Sequence, residues 1–390
     1  MVDSDVAIPS VRSLPTLPLT ALGSTGRRQL PPPLDAPDAT FWFSARSALF
    51  QGIGALGLKA GDAVALPAFC CGSEVEPFLR GSLIPRFYRL TDTLDPEPAS
   101  FAAALDGAAA ALATHYFGFA ANLDAARAAC RQRGVPFIED CAHALYSRDG
   151  DKWLGASADV AVFSISKSLP VPDGGTLIIR SHTKTAPPSG CHPPRQVIAA
   201  RTRSLVIRHF QAHRLRPVSW AAHLPSATKR RFGRTVAEPN RDSEAGLAEI
   251  MRFDPRTADT RMSERSMRLL AQTDHGAVAT VRRRHYQRLF DAVQEVADMR
   301  PLFPRLLEGT CPLALPVVAA DPASFRRRLQ SGSGIGVKQM WPWFHPSVPW
   351  KDFAAEAHLK RSVFILPVHQ SLQPYEIDRI LATIRGWSRS

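Results

Sequence analysis

Val160-Ala161-Val162-Phe163-Ser164-Ile165-Ser166-Lys167-Ser168-Leu169-Pro170-Val171-Pro172-Asp173-Gly174-Gly175 decides the fold. Between Asp159 and Asp173 the only charge is Lys167. Lysine is scarce in this chain, 8 of 48 basic residues, so its presence here is a choice. Val160–Ser164 reads as a short buried strand. A lysine at its end is partly desolvated, which favours the neutral amine that attacks an aldehyde. The alternative is a lysine whose stem packs on the strand end while its head reaches water. Gly174-Gly175 permit a tight turn and close backbone approach.

Working upstream, Val135–Glu139 reads as another buried strand, ending in Asp140 within Ile138-Glu139-Asp140-Cys141-Ala142-His143-Ala144. Open α/β sheets bind ligands beyond the carboxyl ends of their strands. A carboxylate there needs a cationic partner, such as a protonated pyridine nitrogen, or serves as a helix N-cap. Phe43-Ser44-Ala45-Arg46-Ser47-Ala48-Leu49 is a loop entering a helix. The free amides of such a helix start suit a phosphate, and Ser44 is equally well read as an N-cap.

The spacing predicts helices over Ser47–Leu58, Glu74–Arg80 and Leu123–Arg133. It predicts strands over Ala63–Pro67, Ile84–Tyr88, Ala108–Thr114 and Thr176–Ile179. Strands alternating with helices, with little period-2 signal, indicate a parallel or mixed sheet covered on both faces. Residues 1–40, rich in Pro, Ser and Leu, read as an extended arm. Residues 181–260 are Arg- and Pro-rich with weak periodicity, a segment that wraps the domain or reaches a neighbouring subunit. Met262–Val296 reads as a long helical segment. Short strands around Leu313–Val318 and Val363–Leu366 and a last helix from Pro374 form a small α/β unit.

A chain of 390 residues, 45% hydrophobic, is long enough for one large domain and a smaller one. Its apolar runs are too short for a membrane span, and no signal peptide is evident, so a cytoplasmic location is expected. The six cysteines lack metal-type spacing and read as reduced thiols. The net charge of +13 comes mostly from arginine. It reads as compositional bias or as preference for an anionic partner. No nucleic-acid motif accompanies it.

The order of these features resembles the DegT/DnrJ/EryC1/StrS family of pyridoxal-phosphate (PLP)-dependent sugar aminotransferases, of the aspartate aminotransferase fold type I. The matching segments are Ala55–Asp62, Thr114-His115-Tyr116-Phe117-Gly118, the strand end at Asp140, Lys167 with Gly174-Gly175, Arg261-Met262-Ser263-Glu264 and Leu366-Pro367-Val368-His369. The resemblance runs from about residue 41 to 386 and is weakest across 181–258. It implies a large, mixed, mostly parallel seven-stranded sheet domain over 41–260. A linking helix and small C-terminal α/β domain would follow over 261–390. It further implies Lys167 as the Schiff-base lysine and proton shuttle, Asp140 on the pyridine nitrogen and His143 beside the ring. Ser164, Ala45 and Arg46 would hold the phosphate, and Cys71 stands where many members have an aromatic residue. Asp259 replaces an asparagine that reaches the cofactor across a homodimer with shared active sites.

The implied reaction moves an amino group from an amino acid donor, glutamate, to a keto-sugar, nucleotide-linked, or a related cyclic ketone. Three features depart from the family's pattern: Ala45-Arg46 replaces Gly-Thr, Ser164 stands only three residues before Lys167, and Asp259 replaces Asn. These departures leave two alternatives: a PLP enzyme catalysing a reaction other than transamination, or a cofactor-free binding homologue.

Overall fold

The computed structural model describes residues 11–23, 26, 28–180, 189–212, 248–249, 251–330 and 334–387. The reading of 181–260 as a wrapping segment therefore falls largely outside the described residues. Its main described part is the helix Arg195–Ala212.

The large sheet has seven strands: β1 Ala39–Trp42, β2 Ala63–Pro67, β3 Ile84–Tyr88, β4 Ala108–Thr114, β5 Phe137–Asp140, β6 Val160–Ser164 and β7 Gly175–Ile179. Their order is β1-β7-β6-β5-β4-β2-β3. Strands β3, β2, β4, β5 and β6 are parallel, and β7 runs antiparallel to β6 and to β1. Parallel neighbours need crossovers, which helices Glu76–Arg80, Pro98–Leu105 and Asp124–Arg133 supply. The central strands β2 and β6 are buried along their whole length, which is why they read as uninterrupted apolar runs.

The small domain holds a four-stranded antiparallel sheet of β8 Met299–Pro301, β9 Ala314–Ala319, β10 Lys338–Gln339 and β11 Val363–Pro367, in the order β8-β9-β11-β10. Helix Pro374–Trp387 buries Ile377, Ile380, Leu381 and Ile384, the apolar stripe of an amphipathic helix. The helical reading of Met262–Val296 needs correction. Two helices, Glu264–Gln272 and His275–Gln294, occupy it. Asp274 caps the second by accepting the Ala277 amide, so the chain breaks between Thr273 and Asp274. Among the described residues no helix is long and apolar enough to cross a membrane. All six cysteines are free thiols.

The N-terminal stretch buries Val11, Leu17 and Leu34 and ties Val11 N to the Gly334 carbonyl. It runs directly into β1, the edge strand next to β7. Gly175 opens β7 against the start of helix Ala45–Ala55. A Cβ at Gly175 would meet backbone atoms of Ser44 and Ala45 within 2.3–2.5 Å. The contact is backbone and has no side chain to give way. Gly175→Ala is therefore expected to destabilise the protein by about 1–3 kcal/mol, measured by denaturant unfolding. An unchanged midpoint would mean that this approach is not tight.

Candidate active site

Strands β4, β5 and β6 end side by side at Thr114, Asp140 and Ser164. Beyond them lies a cavity of about 260 Å³. Its wall includes Ser44, Ala45, Arg46, Cys71, Glu74, Asp140, His143, Ser164, Lys167 and Trp341. Seven of the eight site residues expected from the sequence thus meet in one place.

Side chains alternate along a strand, and β5 uses both faces. Glu139 points away from the cavity. It accepts Arg127 (2.8 Å), His115 Nε2 (3.2 Å) and the Gly155 amide (2.9 Å). Burial pushes the Glu139 carboxyl up, but His115 and Arg127 more than offset this and hold it down. Asp140, the next residue, is buried at the cavity and accepts the Ala142 amide (2.8 Å). Burial is the main cause that raises its pKa to about 6, Glu74 adds repulsion, and Lys167 pulls the other way. Only Oδ1 of this buried carboxylate takes a hydrogen bond among the described residues, which leaves Oδ2 for a cation.

Lys167 sits in the single turn Ile165–Ser168 that follows β6, half-buried. The Ile165 amide bonds the Gly174 carbonyl, so the Gly-Gly turn supports the lysine turn directly. Gly174 has φ +148 and packs on Ile165 and Met262, a place for glycine only. His143 is buried and kept neutral, its pKa well lowered by burial and then by Lys167. Its Nδ1 accepts the Phe117 amide (3.3 Å), which leaves the ring proton on Nε2.

At the other end, Ser44 caps helix Ala45–Ala55 and accepts the Ser47 amide (3.1 Å). The first amides of the helix, Ala45 and Arg46, border the cavity and suit an anion. Arg46 Nη1 donates to the carbonyls of Met251 and Arg252, both at 2.8 Å, which fixes the guanidinium at the rim. Ser164 lines the cavity despite its shortened spacing to Lys167, because the lysine follows in a tight turn. Asp259 is the exception. Its carboxylate bonds Gln51 Nε2 (2.8 Å), and it does not line this cavity. The Arg261 guanidinium lies over the Trp42 ring at 4.6 Å.

One residue of the cavity wall escaped the sequence reading. Glu74, expected to begin a helix, lies before it. It accepts the Cys71 amide (3.0 Å) and the Cys71 thiol (2.7 Å) inside the cavity wall. Burial, then Glu74, pushes that thiol up to about 12, so Cys71 is a neutral donor. The signal was present in Cys71-Gly72-Ser73-Glu74, a turn whose Gly72 takes φ +89. Trp341, which with Trp343 and His345 reads from the sequence either as a substrate loop or as an aromatic structural cluster, also lines the cavity. It reaches over from the small domain and stacks on His143 (5.6 Å, 29°) and Phe117 (6.1 Å, 21°). Its φ of 50 is strained for a bulky residue. Trp343 and His345, in the same loop, pack away on Gly72 and Glu76.

Residues 35–186 match the DegT/DnrJ/EryC1/StrS aminotransferase family. Protein MosB of Rhizobium meliloti is 32% identical over 145 residues, covering 36% of this chain and 28% of MosB. The L-glutamine:2-deoxy-scyllo-inosose aminotransferase of Streptomyces paromomycinus is 32% identical over 141 residues, 35% of this chain and 33% of that protein. The match thus spans about a third of the length of these curated relatives. Over nearly the whole chain the fold is that of PseC of Helicobacter pylori, an aminotransferase involved in pseudoaminic acid biosynthesis. The TM-score is 0.65 at 15% identity, covering 98% of this chain and 100% of PseC. The chain therefore has the α/β architecture of the PLP-dependent fold type I.

The site fits PLP by its donor set. A buried carboxylate with a free oxygen suits a ring N–H, helix amides suit a phosphate, and a lysine stands between them. A second cluster, His115, Glu139 and Cys141, brings its donor atoms within 4.8 Å of one another. His115 Nδ1 accepts the Ala121 amide, so Nε2 carries the proton toward Glu139 and has no lone pair for a metal.

In the cofactor-free protein Asp140 ionises near 3.8 when unfolded and near 6 when folded. The folded state loses stability as pH rises through this window, by about 3 kcal/mol in full above it. Asp140→Asn keeps the acceptor for Ala142 and should stabilise the apoprotein at pH 7.5 but hardly at pH 4. Equal effects at both values, measured by urea unfolding, would contradict the raised pKa.

Proposed function

We propose that this chain is a PLP-dependent aminotransferase. In this reading it moves an amino group from an amino acid donor, glutamate, to a keto-sugar, nucleotide-linked, or a related cyclic ketone. The observation that carries the reading is the convergence of Lys167, Asp140 and His143 on one cavity at the strand ends. The family match over residues 35–186 supports it, as does the likeness to a relative named for an inosose acceptor.

Bound PLP supplies an aldehyde for amines and a ring that withdraws electrons from the adjacent carbon. Asp140 holds the ring nitrogen protonated, and its burial strengthens that ion pair. Lys167 would be the amine that holds the aldehyde and the group that moves a proton at the substrate carbon. Neutral His143 packs beside the ring without competing for charge. Ser44, the amides of Ala45 and Arg46, and Ser164 hold the phosphate. Trp341 supplies the aromatic surface that Cys71 lacks. A homodimer brings the segment around Asp259 and Arg261 toward the second site.

The test is spectroscopic and chemical. Purified protein with PLP should develop the absorbance of a lysine–aldehyde bond. Borohydride reduction should then fix the cofactor on the peptide containing Lys167. Lys167→Ala should show neither, and Asp140→Asn should lower turnover of glutamate to 2-oxoglutarate by about 100-fold or more. A wild-type protein that takes up no PLP would overturn the proposal. Loss of water or carbon dioxide from substrates, without exchange of amine for ketone, would favour a different PLP reaction.

A further inference from the structure

The lysine turn is gripped from a direction that the reaction itself does not require. Arg282, in helix His275–Gln294, is 1% exposed. Its Nη2 donates to the carbonyl of Ser168 (2.8 Å), the residue after Lys167. Its Nη1 donates to the carbonyls of Pro312 (3.1 Å) and Leu313 (3.0 Å), and its Nε to Gln370 Oε1 (2.9 Å). Gln370 in turn donates to the same Ser168 carbonyl (3.0 Å). Two donors therefore converge on one carbonyl oxygen beside the reactive lysine. One comes from the helix that links the domains, the other from the loop that follows β11 of the small sheet.

Among the described residues no carboxylate pairs with Arg282. An arginine stays charged even when buried, and a buried charge without a counter-ion is costly. An apolar side chain of similar volume would fill this space at less cost. What that side chain lacks is the fork that joins Ser168, Pro312–Leu313 and Gln370. The amine of Lys167 makes no hydrogen bond or ion pair among the described residues. Its direction therefore depends on the backbone turn that carries it. Gly174 anchors the N-terminal side of that turn, and Arg282 with Gln370 anchors the other.

We propose that Arg282 and Gln370 are positioning residues that set the aim of Lys167 and make it depend on the seating of the small domain. The inference rests on Lys167 being the residue that bonds PLP. The experiment compares two ligands of the cofactor-free protein. PLP must bond Lys167. Pyridoxamine 5′-phosphate uses the same ring and phosphate contacts but has no aldehyde. The variants are Gln370→Leu, Arg282→Lys and Arg282→Met, with Arg283→Gln as control. Arg283 is on the same helix but holds the carbonyls of Leu307 and Thr310 instead.

Gln370→Leu and Arg282→Lys should slow bond formation with PLP by about tenfold or more, since small misplacements of a reacting group are expensive. Their affinity for pyridoxamine 5′-phosphate should stay within about twofold of wild type, and the control should match wild type for both ligands. Wild-type rates in the folded variants, or parallel loss of both ligands, would overturn the positioning role. Arg282→Met carries the greatest risk of misfolding, and Gln370→Leu decides the matter if it does. A wild-type protein that fails to bond PLP at Lys167 would instead sink the aminotransferase reading.

Discussion

Asp140 is held where a carboxylate is costly, and much of the site follows from that. It ends a buried strand, and Glu74 lies close enough to add repulsion. A single amide hydrogen bond does not offset these effects, so its pKa rises to about 6. Such a group lowers its free energy by gaining a cation. Around it the cavity wall presents a neutral thiol, an uncharged imidazole and a tryptophan, with Glu74 beside the thiol and Arg46 at the rim. Lys167 is the nearby cation that acts on it, and a ring N–H would be another.

The contrast with Glu139 sharpens this. One residue earlier on the same strand, a carboxylate equally removed from water is fully partnered by Arg127, His115 and Gly155. Its pKa falls instead of rising. Adjacent acids on opposite faces of one strand thus have opposite fates. Glu139 holds helix Asp124–Arg133 and the strand ends together, while Asp140 is left in want of a ligand. This division of labour separates a structural ion pair from a site.

Much of the large domain was legible in the sequence because its strands are short, apolar and bounded by turn residues. Ala63–Pro67, Ile84–Tyr88, Ala108–Thr114 and Val160–Ser164 have the bounds that their pattern predicts. The break at Thr273-Asp274 was missed because apolar periodicity continues across it, while the capping aspartate is a purely local signal. Lys167, Asp140 and His143 lie within 28 residues on consecutive strand ends, so sequence order carries their proximity. Trp341 and Arg282 come from elsewhere in the chain, and only the packing of the small domain brings them to the site. Asp259 was expected to face the cofactor of a second subunit, and the sequence gives no sign of its partner within its own chain. Gln51 meets it first, a pairing 208 residues apart that no local pattern encodes.

The small residue Cys71 and the aromatic Trp341 belong together in the cavity wall. A small thiol at 71 leaves room in the wall, and burial, then the nearby Glu74, keeps it neutral. The aromatic surface then comes from the small domain, on a tryptophan with strained backbone. Strain of this kind costs on the order of 1–3 kcal/mol and persists only where surrounding packing enforces it. Here Phe69, Tyr116, Phe117 and His143 all contact the indole. With this aromatic wall residue on the small domain, the cavity is complete only when the two domains are seated. Arg282 and Gln370 span the same junction on the opposite side of the lysine. The two features are independent in sequence and converge on one consequence: in this chain the geometry of the site is a property of the domain interface, and not of the large sheet alone.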